Sequence, residues 1–282
     1  MIIDGKEIAN KIQERLKQRV AKLPFQPVFC DILVGDDPVS AQYVAMKGKA
    51  AQNLGIEFRR ADFPPDIGTN AVIEQINALN NTPNMCGLIV QLPLPAGLDR
   101  AAILDAIAPR IDVDCTGRSN TEKFYAGQPY LVFPTAAAVM ELIDSTGVEL
   151  KGKRIVVVGQ GALVGRPVTQ LLRARSLEVT TADKDTPNTA DLIKQADVLI
   201  SATGQGRMIT GAMVKPGAVV IDAGTSESNS GIVGDVDFES VAKVTAFLSP
   251  VPGGVGPITV AKLLENVVIV AELTVSQISP TI

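Results

Sequence analysis

Hydrophobic positions along the chain follow two periods that alternate. Val28 to Val34 reads as a buried strand ending at Gly35. Pro38 to Leu54 reads as a helix, with Asp37 as its N-cap, Pro38 at the first helical position and Gly55 after the last turn. Ile56 to Phe63 and Cys86 to Leu92 are two further strands with a helix over Asn70 to Leu79 between them, and Lys6 to Val20 is an amphipathic helix. A loop-rich stretch from Asp112 to Phe133 and a helix over Ala136 to Ile143 follow, and then the rhythm restarts. Arg154 to Val158, Leu177 to Ala182, Val198 to Ser201 and Ala218 to Asp222 read as strands, with a helix over Leu163 to Arg173. From Thr259 to Gln277 the pattern is helical. Strand–helix–strand alternation implies parallel sheets covered by helices, so the expected class is α/β in two domains.

Composition narrows the class. The chain has 282 residues, enough for two domains with their own cores, and it is rich in small and β-branched apolar residues with no tryptophan. A net charge of −4, with no basic patch interleaved with aromatics, argues against nucleic acid as a partner. No apolar run reaches the length of a bilayer span, and Asp4 and Lys6 interrupt any signal-like stretch at the start; no membrane role and a cytoplasmic location are expected. Cys30, Cys86 and Cys115 are an odd, widely spaced set, better read as reduced core or loop residues than as disulfides or a metal site. The chain contains no histidine, which excludes Ser-His-Asp and Cys-His machinery and histidine-based metal centres. An acid or base must then be Lys, Asp, Glu, Tyr or Cys. Lysine is the candidate to watch.

Four constellations carry chemistry. Ser40, Tyr43 and Lys47 fall within about 60° of one another on one helix face, where a hydroxyl, a phenol and an amine can hold an aromatic, polar ligand; the plain alternative is a solvated polar face. Tyr43-x-x-x-Lys47 also resembles the short-chain dehydrogenases, but in those the dinucleotide loop opens the chain and here it comes later. Gln91, in Gln91-Leu-Pro-Leu-Pro95, ends a strand, where open α/β sheets bind ligands, and Asp112-Val-Asp114 supplies a carboxylate some twenty residues on; each taken singly is an ordinary turn. Gly159-Gln-Gly161-Ala-Leu-Val-Gly165 follows a β-branched strand and opens a helix, with Asp183 at the end of the next strand, the context of a dinucleotide loop rather than of a plain tight turn. Pro250-Val-Pro-Gly-Gly-Val-Gly-Pro257 restricts φ with prolines and removes side chains with glycines, and so lets backbone approach a ligand before the last helix.

In this order, Tyr43-x-x-x-Lys47, Gln91-Leu-Pro-Leu-Pro95, Asp112-Val-Asp114, Gly159-x-Gly161-x-x-x-Gly165 and Pro250-Val-Pro-Gly-Gly-Val-Gly-Pro257 resemble the methylenetetrahydrofolate dehydrogenase/methenyltetrahydrofolate cyclohydrolase family over nearly the full length. The resemblance implies a folate-binding catalytic domain over residues 1–118, completed by a C-terminal helix over 264–282, and a Rossmann-type NAD(P) domain over 119–263. It also implies a folate site in the cleft and a homodimer paired through the dinucleotide domains. It assigns Lys47, Gln91 and Asp114 to catalysis, and Ser40, Tyr43, Pro252, Gly253 and Gly254 to binding of tetrahydrofolate derivatives. Gly159, Gln160, Gly161, Gly165, Asp183, Lys184, Thr203 and Gly204 are assigned to the cofactor, and no metal is expected. Lys47, near a cationic substrate and partly desolvated, becomes easier to deprotonate and serves the hydration step; Gln91 holds its amine, Tyr43 stacks on the substrate and Asp114 anchors the pterin.

The chain departs from the family pattern in places. Cys115 stands where glycine is usual after the second aspartate, followed by Thr116-Gly117 in place of Phe-His. Phe133-Pro134-Thr135-Ala136 replaces Pro-Cys-Thr-Pro, Gly159-Gln160-Gly161 replaces Gly-Arg-Ser, and Ala182-Asp183-Lys184 replaces Cys-His-Ser. The family leans to NADP, whereas Gln160 and Asp183 tilt to NAD, because a carboxylate accepts from a ribose 2′-hydroxyl and repels a 2′-phosphate. Two other readings stand beside this one: a two-domain dehydrogenase of the shikimate or amino-acid type, and a non-catalytic folate or nucleotide binder.

Overall fold

Two parallel sheets organise the chain, and each is built on a strand apolar enough to be buried on both faces. The protein is described by a computed structural model that covers residues 1–228 and 231–278. It folds as two compact units, one of residues 1–10 with 133–262 and one of residues 11–132 with 263–282. The last four residues of the expected C-terminal segment, 279–282, lie outside the described residues.

In the unit of residues 11–132 the elements are α1 (Gly5–Val20, beginning in the other unit), β1 (Val28–Val34), α2 (Pro38–Asn53), β2 (Glu57–Phe63), α3 (Thr69–Asn80), β3 (Met85–Val90), α4 (Arg100–Asp105) and α5 (Arg118–Tyr125). The sheet order is β2-β1-β3, all parallel. Every residue of β1 and β3 is buried, while β2, an edge strand, has no buried residue. Helix α2 starts as the sequence predicts: the Asp37 carboxylate accepts from the Ser40 backbone N–H at 2.7 Å, Pro38 takes the first turn and Gly55 follows at φ +87°. The stretch predicted as loop after Asp112 contains α5, a two-turn helix too short to show a hydrophobic period.

The other unit carries α6 (Pro134–Ser145), β4 (Ile155–Val158), α7 (Gly165–Ala174), β5 (Val179–Ala182), α8 (Thr189–Gln195), β6 (Val198–Ser201), β7 (Val219–Asp222), a hairpin of β8 (Ser226–Ser228) and β9 (Gly231–Val233), α9 (Phe238–Val241), β10 (Phe247–Leu248) and α10 (Val255–Ile278), which runs on into the first-described unit. Its five-stranded parallel sheet has the order β10-β7-β6-β4-β5, a doubly wound arrangement with the strand order reversing between β4 and β6. Val156, Val158, Leu199, Val220 and Ile193 lie in one apolar cluster under it. Helix α10 begins at Val255, inside the Pro/Gly run and four residues before the predicted Thr259. Pro257 does not prevent this, because a first-turn N–H has no intrahelical acceptor to lose.

From Leu263 onward α10 belongs with residues 11–132, and Asn266 fixes it there. The buried Asn266 amide donates to the carbonyls of Val113 and Val132, both at 2.8 Å, so one side chain ties the helix to the turn carrying Asp112 and Asp114. Asn266→Ala removes both donors and leaves carbonyls without partners; a loss of about 1–3 kcal/mol is expected, read as a lower thermal midpoint with unchanged secondary structure.

Candidate active site

Lys47 is the centre of the first cluster. It sits in the middle of α2 with only 8% of its surface exposed. Its ammonium meets two partners from the sheet beneath: the Asp31 Oδ2 of β1 at 2.7 Å and the Gln91 Oε1 just past β3 at 2.8 Å. Helix α2 can lie this close because Gly48 faces the Phe58 ring; a Cβ there would sit 2.5 Å from it. The Gln91 backbone N–H still pairs with Ile32 O at 2.8 Å, and its side-chain Nε2 donates to Leu92 O at 2.7 Å. The amide is thus oriented with its oxygen toward the lysine. Lys47 and Gln91, separated by forty-four positions, are brought together.

Asp31 is the residue that sequence reasoning passed over. It is the one charged position in Val-Phe-Cys-Asp-Ile-Leu-Val, and it is fully buried. That interruption of an apolar run was the available signal. Burial pushes its carboxyl up to about 6, although Lys47 pulls the other way. Asp114 is also within electrostatic reach of Lys47; burial raises its carboxyl and Lys47 opposes the rise.

The turn that presents Asp114 is held by its neighbour Asp112. The buried Asp112 carboxylate accepts from the backbone N–H groups of Thr116 (3.2 Å) and Gly117 (3.0 Å) and from the Asn120 amide (3.2 Å). Asp112 is therefore a structural cap, and Asp114 is the member of the pair that interacts electrostatically with the lysine. Cys115 is fully buried at φ +59°, the left-handed region that favours glycine, so the departure from the family's glycine places a side chain where the backbone resists one. Burial raises all three thiols, that of Cys30 to about 12 and that of Cys86 to about 11, and all three are free.

Ser40 and Tyr43 share the Lys47 helix. Ser40 is buried at the capped first turn, and Tyr43 is half-buried one turn before the lysine. Pro252, Gly253 and Gly254 belong to the other unit. There Gly253 needs its glycine for φ +108°, and a Cβ on Gly254 would lie 2.6 Å from Pro250 O. Gly254 is thus committed to packing of its own loop, while Gly256 faces open space.

The dinucleotide motif divides in the same way. A Cβ on Gly165 would stand 1.7 Å from Gly159 O, and one on Gly159 would stand 2.2 Å from Ala202 O, so these two glycines let strand, turn and α7 pack. Gly161 meets nothing within 4 Å, which leaves its backbone open at the N-terminus of a ten-residue helix. The Gln160 amide turns back, donating to Gly159 O at 3.2 Å and Thr169 Oγ1 at 3.4 Å. Across the point where strand order reverses, the loop after β6 is fixed by buried Asp235, which accepts from Ser201 Oγ (2.6 Å), Thr203 N (2.7 Å) and Gln205 N (3.0 Å). Gly204 follows Thr203 at φ +67°. Asp222, at the end of β7, in turn accepts from the N–H groups of Gly224, Asp235 and Val236; burial pushes it up to about 6. At the end of β5 the exposed Asp183 carboxylate accepts from Thr186 Oγ1 at 2.8 Å and Asp185 N at 3.1 Å, which hold it below the usual carboxylate range. Lys184 is exposed beside it, 3.8 Å from Asp185.

These roles predict a contrast. Gly165→Ala forces an overlap and should lower stability by about 1–3 kcal/mol. Gly161→Ala should leave the stability within about 0.5 kcal/mol of the parent and raise KM for the nicotinamide cofactor. Melting curves and cofactor titration distinguish the two.

The comparisons with known proteins agree with this geometry. Residues 3–114 match the family described as tetrahydrofolate dehydrogenase/cyclohydrolase, catalytic domain, and residues 134–275 match the NAD(P)-binding domain of the same family. The chain is 42% identical to the Bifunctional protein FolD of Bordetella avium, covering 98% of each chain. It is 43% identical to that of Geobacillus thermodenitrificans, covering 94% of this chain and 95% of the relative. Among solved structures, the Trypanosoma brucei N5,N10-methylenetetrahydrofolate dehydrogenase-cyclohydrolase complexed with NADP cofactor and inhibitor superposes with a TM-score of 0.93 at 36% identity over 98% of both chains. By the match of both domain models across most of its length, the chain belongs to the tetrahydrofolate dehydrogenase/cyclohydrolase family.

Proposed function

We propose that this protein oxidises 5,10-methylenetetrahydrofolate to the 5,10-methenyl form with a nicotinamide cofactor, and hydrates that product to 10-formyltetrahydrofolate, with Lys47 handling the proton of the second step. The observation that carries this reading is the buried Lys47 ammonium held between Gln91 and Asp31 in a chain that has no histidine. Removal of hydride from the methylene leaves a cation stabilised by two nitrogen lone pairs, so the first step needs positioning and no proton acceptor. A nicotinamide cofactor, when bound, accepts that hydride. The open backbone at Gly161, the N-terminus of α7 and the Thr203-Gly204 loop are the residues suited to hold it, since they lie at the carboxyl ends of β4 and β6 where the strand order reverses. Hydration requires removal of a proton from water, and Lys47 is the amine in this cluster that takes it. Gln91 fixes the amine through its oriented oxygen, Asp114 anchors the pterin, and Tyr43 stacks on the ring.

Lys47→Met should cut methenyl hydrolysis by about a hundredfold or more and affect hydride transfer less. Hydrolysis at the parental rate in that variant removes Lys47 from the mechanism.

For the cofactor, we infer a preference for NAD over NADP. Asp183 is kept ionised by its own turn, 24 positions after Gly159, which suits a ribose 2′-hydroxyl and repels a 2′-phosphate. The Gln160 amide is engaged within its loop and supplies no positive charge. Measured kcat/KM should favour NAD, and Asp183→Ala should shift the ratio toward NADP. A tenfold preference for NADP that Asp183→Ala leaves unchanged overturns this reading.

A further inference from the structure

We propose that Asp31 is a positioning residue for the hydration step, accepting a proton from Lys47 when the methenyl cation binds and returning it afterwards. This rests on the role of Lys47 given above. Asp31 differs from the other buried aspartates in what it lacks. Those are saturated by donors: Asp112 by two backbone N–H groups and an amide, Asp222 by three backbone N–H groups, and Asp235 by a hydroxyl and two backbone N–H groups. Among the described residues, Asp31 has no hydrogen-bond donor for either oxygen apart from the ion-pair contact of Oδ2 with Lys47 at 2.7 Å. It caps no turn and braces no loop, so a structural role of that kind is absent. A buried carboxyl with an unsatisfied oxygen is costly as an anion and much less so when protonated.

The charged groups facing it are Lys47 from α2, Arg60 from the neighbouring position on β2 and Asp114 from the turn beyond β3. Lys47 and Arg60 favour the anion, while Asp114 and burial favour the acid. Burial is the largest of these effects and leaves the group titrating at about 6. A cationic substrate brought beside Lys47 repels the ammonium and tilts the ion pair toward neutral amine and neutral acid.

The protons balance. On binding, the proton passes from Lys47 to Asp31. Water oxygen then bonds to the one-carbon atom, and its proton goes to the Lys47 amine. Collapse breaks the bond from that carbon to N5: N5 takes the proton from Lys47, and the hydroxyl proton returns to Lys47 as the formyl C=O forms. Lys47 releases one proton to solvent and recovers the one stored on Asp31. Methenyl cation plus water has become the 10-formyl product plus one proton.

The test is the pH profile of kcat for methenyl hydrolysis, from initial rates with the full-length protein and with Asp31→Asn, each checked by thermal melting. In the parent, kcat should fall about tenfold per pH unit below pH of about 6, where Asp31 is already protonated, and hydride transfer should show no such limb. In Asp31→Asn, hydrolysis at neutral pH should fall about tenfold or more and recover as pH rises, because Lys47 must now lose its proton to solvent. A loss that is the same at every pH marks a purely structural role and overturns the proposal, as does an unchanged acid limb. Should the variant fail to fold, the parental profile decides: no acid limb in hydrolysis overturns the proposal. If Lys47→Met abolishes hydrolysis while Asp31→Asn keeps the parental profile, the Lys47 reading stands and this inference falls.

Discussion

A lysine that is nine-tenths buried must have its charge answered from within the protein, and the unit of residues 11–132 is arranged around that requirement. Leaving water costs an ammonium several kcal/mol unless partners replace it. Lys47 finds them on two strands, Asp31 in the centre of β1 and Gln91 past the end of β3. Both partners depend on the parallel pairing of β1 with β3, which sets Ile32 opposite Val90 and ties the Gln91 backbone to Ile32. The close seat of α2 on Phe58, made possible by Gly48, brings the lysine within reach. Sheet register, helix depth and the ion pair therefore stand or fall together.

The two units solve the problem of siting chemistry in the same way. Each has a parallel sheet in which the first strand lies between the second and the third, β2-β1-β3 in one and β5-β4-β6 in the other. At such a reversal the loops leave the sheet on opposite faces and open a crevice at the carboxyl ends. Gln91 follows β3, while Gly159 and Thr203 follow β4 and β6. Glycines at these ends serve two purposes. Gly159 and Gly165 let the chain pack against itself, and Gly161 keeps a face of backbone open.

Buried aspartates fall into two kinds here. Asp112, Asp222 and Asp235 gather backbone N–H groups and fix the loops that carry Asp114 and Thr203. Such carboxylates act as hubs for segments that have no regular structure to satisfy their amides. Asp31 gathers none and faces an amine instead. The contrast in partners, more than burial itself, separates a brace from a proton-exchanging group.

The sequence by itself determined the fold class, the main strands and helices to within a few residues, and the family. Val28–Val34, Val198–Ser201 and the capped start of α2 needed only local apolar runs and local punctuation. Motif order was enough to single out Lys47, Gln91 and Asp114 as candidates. Helices α4, α5, α8 and α9 were not legible, since four to eight residues give no period to read, and their stability comes from packing. Asp31 was not legible as a partner of Lys47 because nothing local links positions sixteen apart on a strand and a helix. Only the tertiary structure decided that pairing. The physical reason is that burial and ion pairing are properties of what surrounds a group, and for Asp31 those surroundings come from β2, α2 and the turn after β3 rather than from its own strand.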